Sequence, residues 1–265
     1  LPFLPDQAKS LPRRAFIVTN ENTKKLFARG GKVCRALPHC GMPCMYQPRR
    51  IPVNAREQVE PVRHAFAVEA QELRRGGLAV YPTETFYALG CLATVHGAVE
   101  RIVAVKGRPA DKALPLIVSD WEMVARFVRL GDKEEALARK FWPGPLSIVV
   151  RTDPEISPLA RDRAGFSAVR MTPHVIAAEL CREAGAPLVS SSANRSGHPP
   201  VARPGDLDPE LLRLSGAMVV DATPWPAGGL PSTLVGFTEA GVLRILRQGA
   251  ITTETIVAAG FELEP

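Results

Sequence analysis

From about residue 54 onward, apolar positions fall into short runs of two alternating periods. Asn54 and Glu57 offer a capping box, Pro61 delays the helix, and Val62, Phe66, Ala70 and Leu73 then share one face until Gly76-Gly77 ends it. Leu78 to Tyr81 is a continuous apolar run of strand length. The pattern then predicts a helix through Val99, Ile102 and Val103, a strand at Leu114 to Val118, and helices around Trp121 to Val128 and Lys133 to Phe141. Strands follow at Leu146 to Arg151 and Phe166 to Arg170, a helix from His174 to Glu183, and a strand at Pro187 to Ser190. After Leu207 to Leu214, strands are expected near Met218 to Asp221, Ser232 to Phe237 and Val242 to Leu246. Helices alternate with strands, yet some strands adjoin without a crossover helix. That combination predicts an α/β fold built on a mixed sheet. No internal repeat is present.

Residues 1–50 show no sustained periodicity and carry scattered prolines. They also hold most of the charge imbalance. The 265-residue chain has a formal net charge of +6, but residues 1–50 contain ten Lys and Arg against Asp6 and Glu21, which leaves 23 basic and 25 acidic residues for 51–265. The expected organisation is a basic, non-core extension at 1–50, one catalytic domain at 54–252 and a C-terminal tail at 253–265. The extension is Arg-rich and acid-poor, as a transit peptide would be; an upstream extension, with Met42 or Met45 nearer the natural start, is the preferred reading. A slightly acidic body means that any basic surface on it is a local pocket, and not a general stripe for nucleic acid.

Cys34, Cys40 and Cys44 crowd beside His39, while Cys91 and Cys181 stand alone in apolar stretches. This spacing lacks the C-x-x-C pair of a strong zinc signal, so no metal site and no disulfide framework is assigned. No apolar run is long enough to span a bilayer and no secretory leader pattern occurs, so no membrane role and a cytoplasmic location are expected.

Three patches lie at the ends of the apolar runs. Lys106-Gly-Arg-Pro-Ala-Asp-Lys112 packs three cations into a turn stiffened by Pro109, suited to a triphosphate; most such clusters are solvated turns. Ser190-Ser-Ser-Ala-Asn-Arg-Ser-Gly197 places Ser190, Ser192 and Asn194 at the carboxyl end of a strand, the usual crevice for ligands in α/β sheets, although an ordinary polar turn fits as well. Pro82-Thr-Glu-Thr-Phe-Tyr-Ala-Leu-Gly90 offers the hydroxyls of Thr83 and Thr85 with Glu84 between them, or else a plain strand-to-helix connection. Arg170, last in its strand, is either an anion ligand or a snorkelling surface residue. Neither G-x-S-x-G nor a Walker loop nor G-x-G-x-x-G is present, which argues against a serine triad, a P-loop and a dinucleotide site.

The blocks YPTETFYALG, KGRP…K, FWPGPLSIVV, AVRMTPH, PLVSSSANRSG and LRQG occur in the order and approximate spacing of the YrdC/TsaC family. Over roughly residues 60 to 250 the chain resembles the short, single-domain form of these threonylcarbamoyl-AMP synthases. The resemblance implies a twisted mixed β-sheet flanked by helices, with a concave basic ligand cavity. It also implies a reaction in which L-threonine, bicarbonate and ATP give L-threonylcarbamoyladenylate and pyrophosphate, for modification of tRNA adenosine next to the anticodon. Mg2+ is then expected through the phosphates, with tRNA threonylcarbamoyl-transfer machinery downstream and tRNA or double-stranded RNA as a further partner.

By the same resemblance, Lys106 and Arg108 are the catalytic cations, and with Lys112, Ser190, Asn194 and Arg247 they would bind ATP. Thr83, Thr85, Arg170, Ser192 and Ser232 would bind threonine. The chain departs from the family pattern at Ile117, where many relatives have His, and at Ala88, where they have Gly. Lys112 stands where many place Asn, the late E-S-T-V-V-D block is reduced to Pro231-Ser-Thr-Leu-Val235, and one extra residue precedes Arg247. Two alternatives are a non-catalytic RNA-binding module, as in ribosome maturation, and a carbamoyl-transfer module with another acceptor.

Overall fold

The computed structural model describes residues 65–107 and 113–264. The Asn54/Glu57 capping box, the basic extension, the cysteine cluster beside His39, and Arg108 and Lys112 lie outside the described residues. Helix α1 (Ala67–Arg74) buries Ala70 and Leu73, and Gly76 leaves it at φ +86°, a left-handed turn suited to glycine. The apolar run after it is strand β1 (Ala79–Pro82), which turns directly into β2 (Tyr87–Gly90). Thr83 makes that turn: its Oγ1 accepts from the Phe86 amide at 3.3 Å and donates to the Phe86 carbonyl at 2.7 Å.

The chain continues through α2 (His96–Lys106), β3 (Leu116–Val118), α3 (Trp121–Phe127), β4 (Val128–Arg129), α4 (Asp132–Phe141), β5 (Leu146–Thr152) and β6 (Phe166–Met171). It closes with α5 (Val175–Ala184), β7 (Leu188–Val189), β8 (Ser191–Ser192), α6 (Pro209–Ser215), β9 (Met218–Val219), β10 (Thr233–Phe237), β11 (Leu243–Arg247) and α7 (Thr253–Ala258). Local chemistry sets several ends. Asp120 caps α3 by accepting from the Met123 amide at 2.9 Å, and Asp208 and Thr252 cap α6 and α7 in the same way.

The strands form two sheets where the sequence suggested one. A four-stranded sheet has the order β8-β2-β1-β9, and a seven-stranded sheet has β11-β10-β5-β6-β3-β7, with β4 against the far end of β5. Both are mixed: β1 runs parallel to β9, β10 to β5 and β3 to β6, whereas the other neighbours are antiparallel. One continuous segment joins them. Its first half, β7, pairs with β3, and its second half, β8, pairs with β2. The seam is tight, because a Cβ on Gly90 would lie 2.0 Å from the Val189 carbonyl oxygen, and the Tyr81 hydroxyl donates to that same oxygen at 2.7 Å.

The core contains Tyr81, Tyr87 and Phe127 among its largest fully buried side chains, with Ile102, Leu137 and Leu146 from the helices and strands around them. Residues 253–265 were expected as a tail. Within them α7 buries Ile256 completely, and Leu263 bridges to Leu243 at the start of β11.

Candidate functional site

Two of the three motifs, Pro82–Gly90 and Ser190–Gly197, meet at the seam between the sheets. A cavity of about 300 Å³ opens there, lined by the β1–β2 turn, the junction of β7 and β8, the near halves of β5 and β6, and the β10–β11 pair. Seven of the expected residues line it: Thr83, Thr85, Arg170, Ser190, Ser192, Ser232 and Arg247. Ala88 lines it too, while Ile117 is buried in the core and does not. Among the described residues, the lining holds two arginines and no carboxylate.

Arg170 is no snorkelling residue. It is buried, its Nε donates to Glu84 Oε1 at 2.6 Å, and its Nη2 donates to Ser190 Oγ at 3.2 Å. Glu84 is held from its other side by Thr172, whose Oγ1 donates to Oε2 at 2.7 Å. Burial pushes the Glu84 carboxyl up, but the Arg170 charge and these hydrogen bonds outweigh it and hold it below the usual carboxylate range. The carboxylate lies behind the arginine, which is thereby fixed with its guanidinium at the cavity wall.

Arg247, the last residue of β11, also lines the cavity. Its Nη2 donates to the Ser232 carbonyl at 2.7 Å and to Ser232 Oγ at 3.2 Å, and Ser232 Oγ is 3.0 Å from Ser147 Oγ. Burial, and then the nearby positive Arg170, push its pKa down. The buried Arg170 and the partly desolvated Arg247 guanidiniums are within electrostatic reach and repel, and an anion near both would relieve that cost. β11 carries a bulge just ahead of Arg247. Val235 faces Ile245 but Leu234 faces Arg247, so Leu246 is left over, half exposed, and Arg247 joins Leu234 on the cavity side.

Lys106 behaves differently from expectation. Its ammonium donates to the Ser192 carbonyl at 2.9 Å and to the carbonyl and Oδ1 of Asn194, and Ser196 Oγ donates back to the Lys106 carbonyl at 2.8 Å. Asn194 in turn gives its amide N–H to the His198 carbonyl. Neither residue lines the cavity; together they brace the loop that forms its rim. The physical reason is that an ammonium at a helix C-terminus finds exposed carbonyls of the neighbouring loop within reach. In the sequence Arg108 and Lys112 fall between Lys106 and the cavity-lining Ala113, outside the described residues.

Sequence reasoning missed Glu84 as a structural anchor, and it missed Thr172 and Ser147. Ser147 had a signal, being the polar position in the apolar run Leu146 to Val150. Glu84 had another: a carboxylate between two threonines at a strand end has to be paired if it is buried. Among the described residues no group of three or more His, Cys, Asp or Glu could hold a metal ion. None of their helices is long and apolar enough to cross a membrane.

A family model for Sua5, YciO and YrdC, described as "Telomere recombination", matches residues 71–249. The chain is 37% identical over 177 residues to the threonylcarbamoyl-AMP synthase of Stenotrophomonas maltophilia, covering 65% of this chain and 93% of that one. Against the threonylcarbamoyl-AMP synthase of Thiobacillus denitrificans it is 37% identical over 194 residues, covering 72% and 97%. It also superposes on the crystal structure of Pyrococcus abyssi Sua5 complexed with L-threonine, with a TM-score of 0.65 and 29% identity, covering 76% of this chain and 59% of that one.

Proposed function

Because the chain belongs to the Sua5/YciO/YrdC family, we propose that it is a threonylcarbamoyl-AMP synthase, converting L-threonine, bicarbonate and ATP to L-threonylcarbamoyladenylate and pyrophosphate. One observation carries the reading: among the described residues, strand-end hydroxyls from two separate motifs share a cavity of about 300 Å³ with two arginines and no carboxylate. The amine of threonine takes up the carboxyl carbon of bicarbonate as a carbamate, with loss of water. A carbamate oxygen then attacks the α-phosphorus of ATP, and the bond to pyrophosphate breaks. Two anions have to meet, so the protein's contribution is positive charge, position and exclusion of water from a labile carbamate.

In this reading Arg170 holds the amino-acid carboxylate, and Thr83, Thr85, Ser192 and Ser232 read the rest of threonine. Ser190 and Arg247 contact the nucleotide. The triphosphate extends toward the segment carrying Arg108 and Lys112, which precedes the cavity-lining Ala113 in the chain. Lys106 acts as a positioning residue through the Ser192–Asn194 backbone. Mg2+ enters on the phosphates, because the lining residues supply hydroxyls and guanidiniums and no carboxylate ligand. The product would pass to enzymes that modify tRNA.

The decisive measurement is pyrophosphate release from ATP with threonine and bicarbonate supplied or withheld. Release that requires both is expected; release indifferent to threonine rejects the proposal. Amino-acid choice gives a second check. Serine keeps the hydroxyl and loses one methyl contact, for a discrimination of about 1–3 kcal/mol in kcat/KM, whereas valine leaves the pocket's polar partners unpaired and should be far worse. Equal turnover of valine and threonine would contradict a hydroxyl-reading pocket.

A further inference from the structure

At the opposite end of β5 and β6 lies a second concavity, a surface cleft of about 710 Å³ that shares no lining residue with the cavity. Four arginines line it, Arg129, Arg151, Arg161 and Arg163, against two acids, Asp153 and Asp162. Both acids are already engaged. Asp153 Oδ2 receives Arg129 at 2.5 Å and its Oδ1 accepts the Glu155 amide at 3.0 Å. Asp162 Oδ1 accepts the amides of Ala164 at 2.9 Å and Phe166 at 2.8 Å, which turns the carboxylate into its own loop.

Among the described residues no carboxylate lies within 4.0 Å of the guanidinium nitrogens of Arg151, Arg161 or Arg163. Arg151 and Arg161 are nevertheless placed and not merely solvated. Arg151 is stacked over the Phe166 ring at 5.1 Å, and an Arg161 guanidinium nitrogen lies 4.0 Å from where a Cβ on Gly165 would stand. The loop beneath them is fixed by backbone hydrogen bonds from Thr152 to Gly165 at 2.9 Å, from Gly165 to Asp162 at 3.0 Å and from Asp162 to Phe166 at 2.8 Å.

We propose that this cleft is a second anion site, taking a ligand with several phosphate groups on the forks of Arg151, Arg161 and Arg163. Three like charges around one concavity repel one another, and phosphate oxygens spaced along a chain relieve that repulsion while accepting paired N–H bonds from each planar fork. All four lining cations are arginine and none is lysine, the choice suited to bidentate phosphate recognition. Residues 51–265 carry 23 basic and 25 acidic residues, so the cleft attracts anions by local arrangement and not through the charge of the whole body. The phosphates can belong to a free oligophosphate or to the backbone of a single-stranded RNA. This site is argued from its own residues and does not depend on the reaction assigned to the cavity.

The test uses the full chain and two probes, sodium tripolyphosphate by calorimetry and a fluorescein-labelled single-stranded RNA by anisotropy across a salt series. The variant R151A/R161A/R163A is compared with R75A/R213A/R244A, which removes equal charge from arginines that are ion-paired on other elements. We expect the cleft variant alone to bind at least one probe about tenfold or more weakly. If RNA is the ligand, the slope of log affinity against log salt falls by about 2, from about 0.7 per lost phosphate contact. Loss for tripolyphosphate alone assigns a small oligophosphate; loss for RNA assigns a polynucleotide. The cleft variant should keep threonine-dependent pyrophosphate release, so a failed cavity reaction and a failed cleft are read separately. Equal binding by wild type and both variants overturns the site, as does an equal loss in the two variants.

Discussion

Arg170, fixed by its ion pair with Glu84, is one of the two arginines that line the cavity. Paired arginine could have been read from the sequence only by knowing that the β1–β2 turn and the end of β6 come together, and those positions are 86 residues apart. Thr83, Thr85, Ser190 and Ser192 were legible because each follows a buried apolar run, and Ser232 only through the family resemblance; their partners were not, since buried pairing is a property of tertiary contact. Replacing Glu84 with Gln leaves a buried guanidinium without its counter-charge and should destabilise the fold by about 3–5 kcal/mol, read by chemical denaturation. The pH dependence has a definite sign. A folded carboxyl held below its ordinary value of 4.5 contributes stability above that value, and this contribution is lost as pH falls through the lowered one. Glu84→Gln should therefore flatten the acid limb of the stability profile relative to wild type; an unchanged limb would mean that the pair contributes nothing to it.

At the scale of elements, the longer periodic segments were readable and the short ones were not. α5 shows buried Ile176, Ala177, Leu180, Cys181 and Ala184 on a helical period, which the sequence displays directly. β2 holds only Tyr87 to Gly90 and β8 only Ser191 and Ser192, too few residues for any period to register. Gly90 is there because the chain passes it: its Cα sits against the Val189 carbonyl. Gly90→Ala should force the seam open at a cost of about 1–3 kcal/mol or more, with loss of threonine-dependent turnover exceeding the loss of fold at permissive temperature. Wild-type stability and turnover in that variant would show the seam to be adjustable. The Leu246 bulge belongs to the same scale, since without it the alternation of β11 would turn Arg247 toward the face of Val235.

For the whole molecule, charge patterning divides the sequence into a basic 1–50 and a slightly acidic remainder, and the alternation of elements gave the mixed α/β class. Division into two sheets was not readable, because it depends on one segment changing partners midway. The packing of the last residues was hidden by the short length of α7, yet Ile256 is fully buried. Ile256→Ala should lower stability by about 2–5 kcal/mol by denaturant titration, whereas a residue in a detached tail would give no change. The shared segment at Leu188 to Ser192 has a thermodynamic meaning of its own. Neither sheet can melt while the other stays intact without stripping that segment from one of its partners, so unfolding should be a single cooperative event. A molecule seated at the junction grips both halves at once, and its binding free energy is then added to the stability of the entire body.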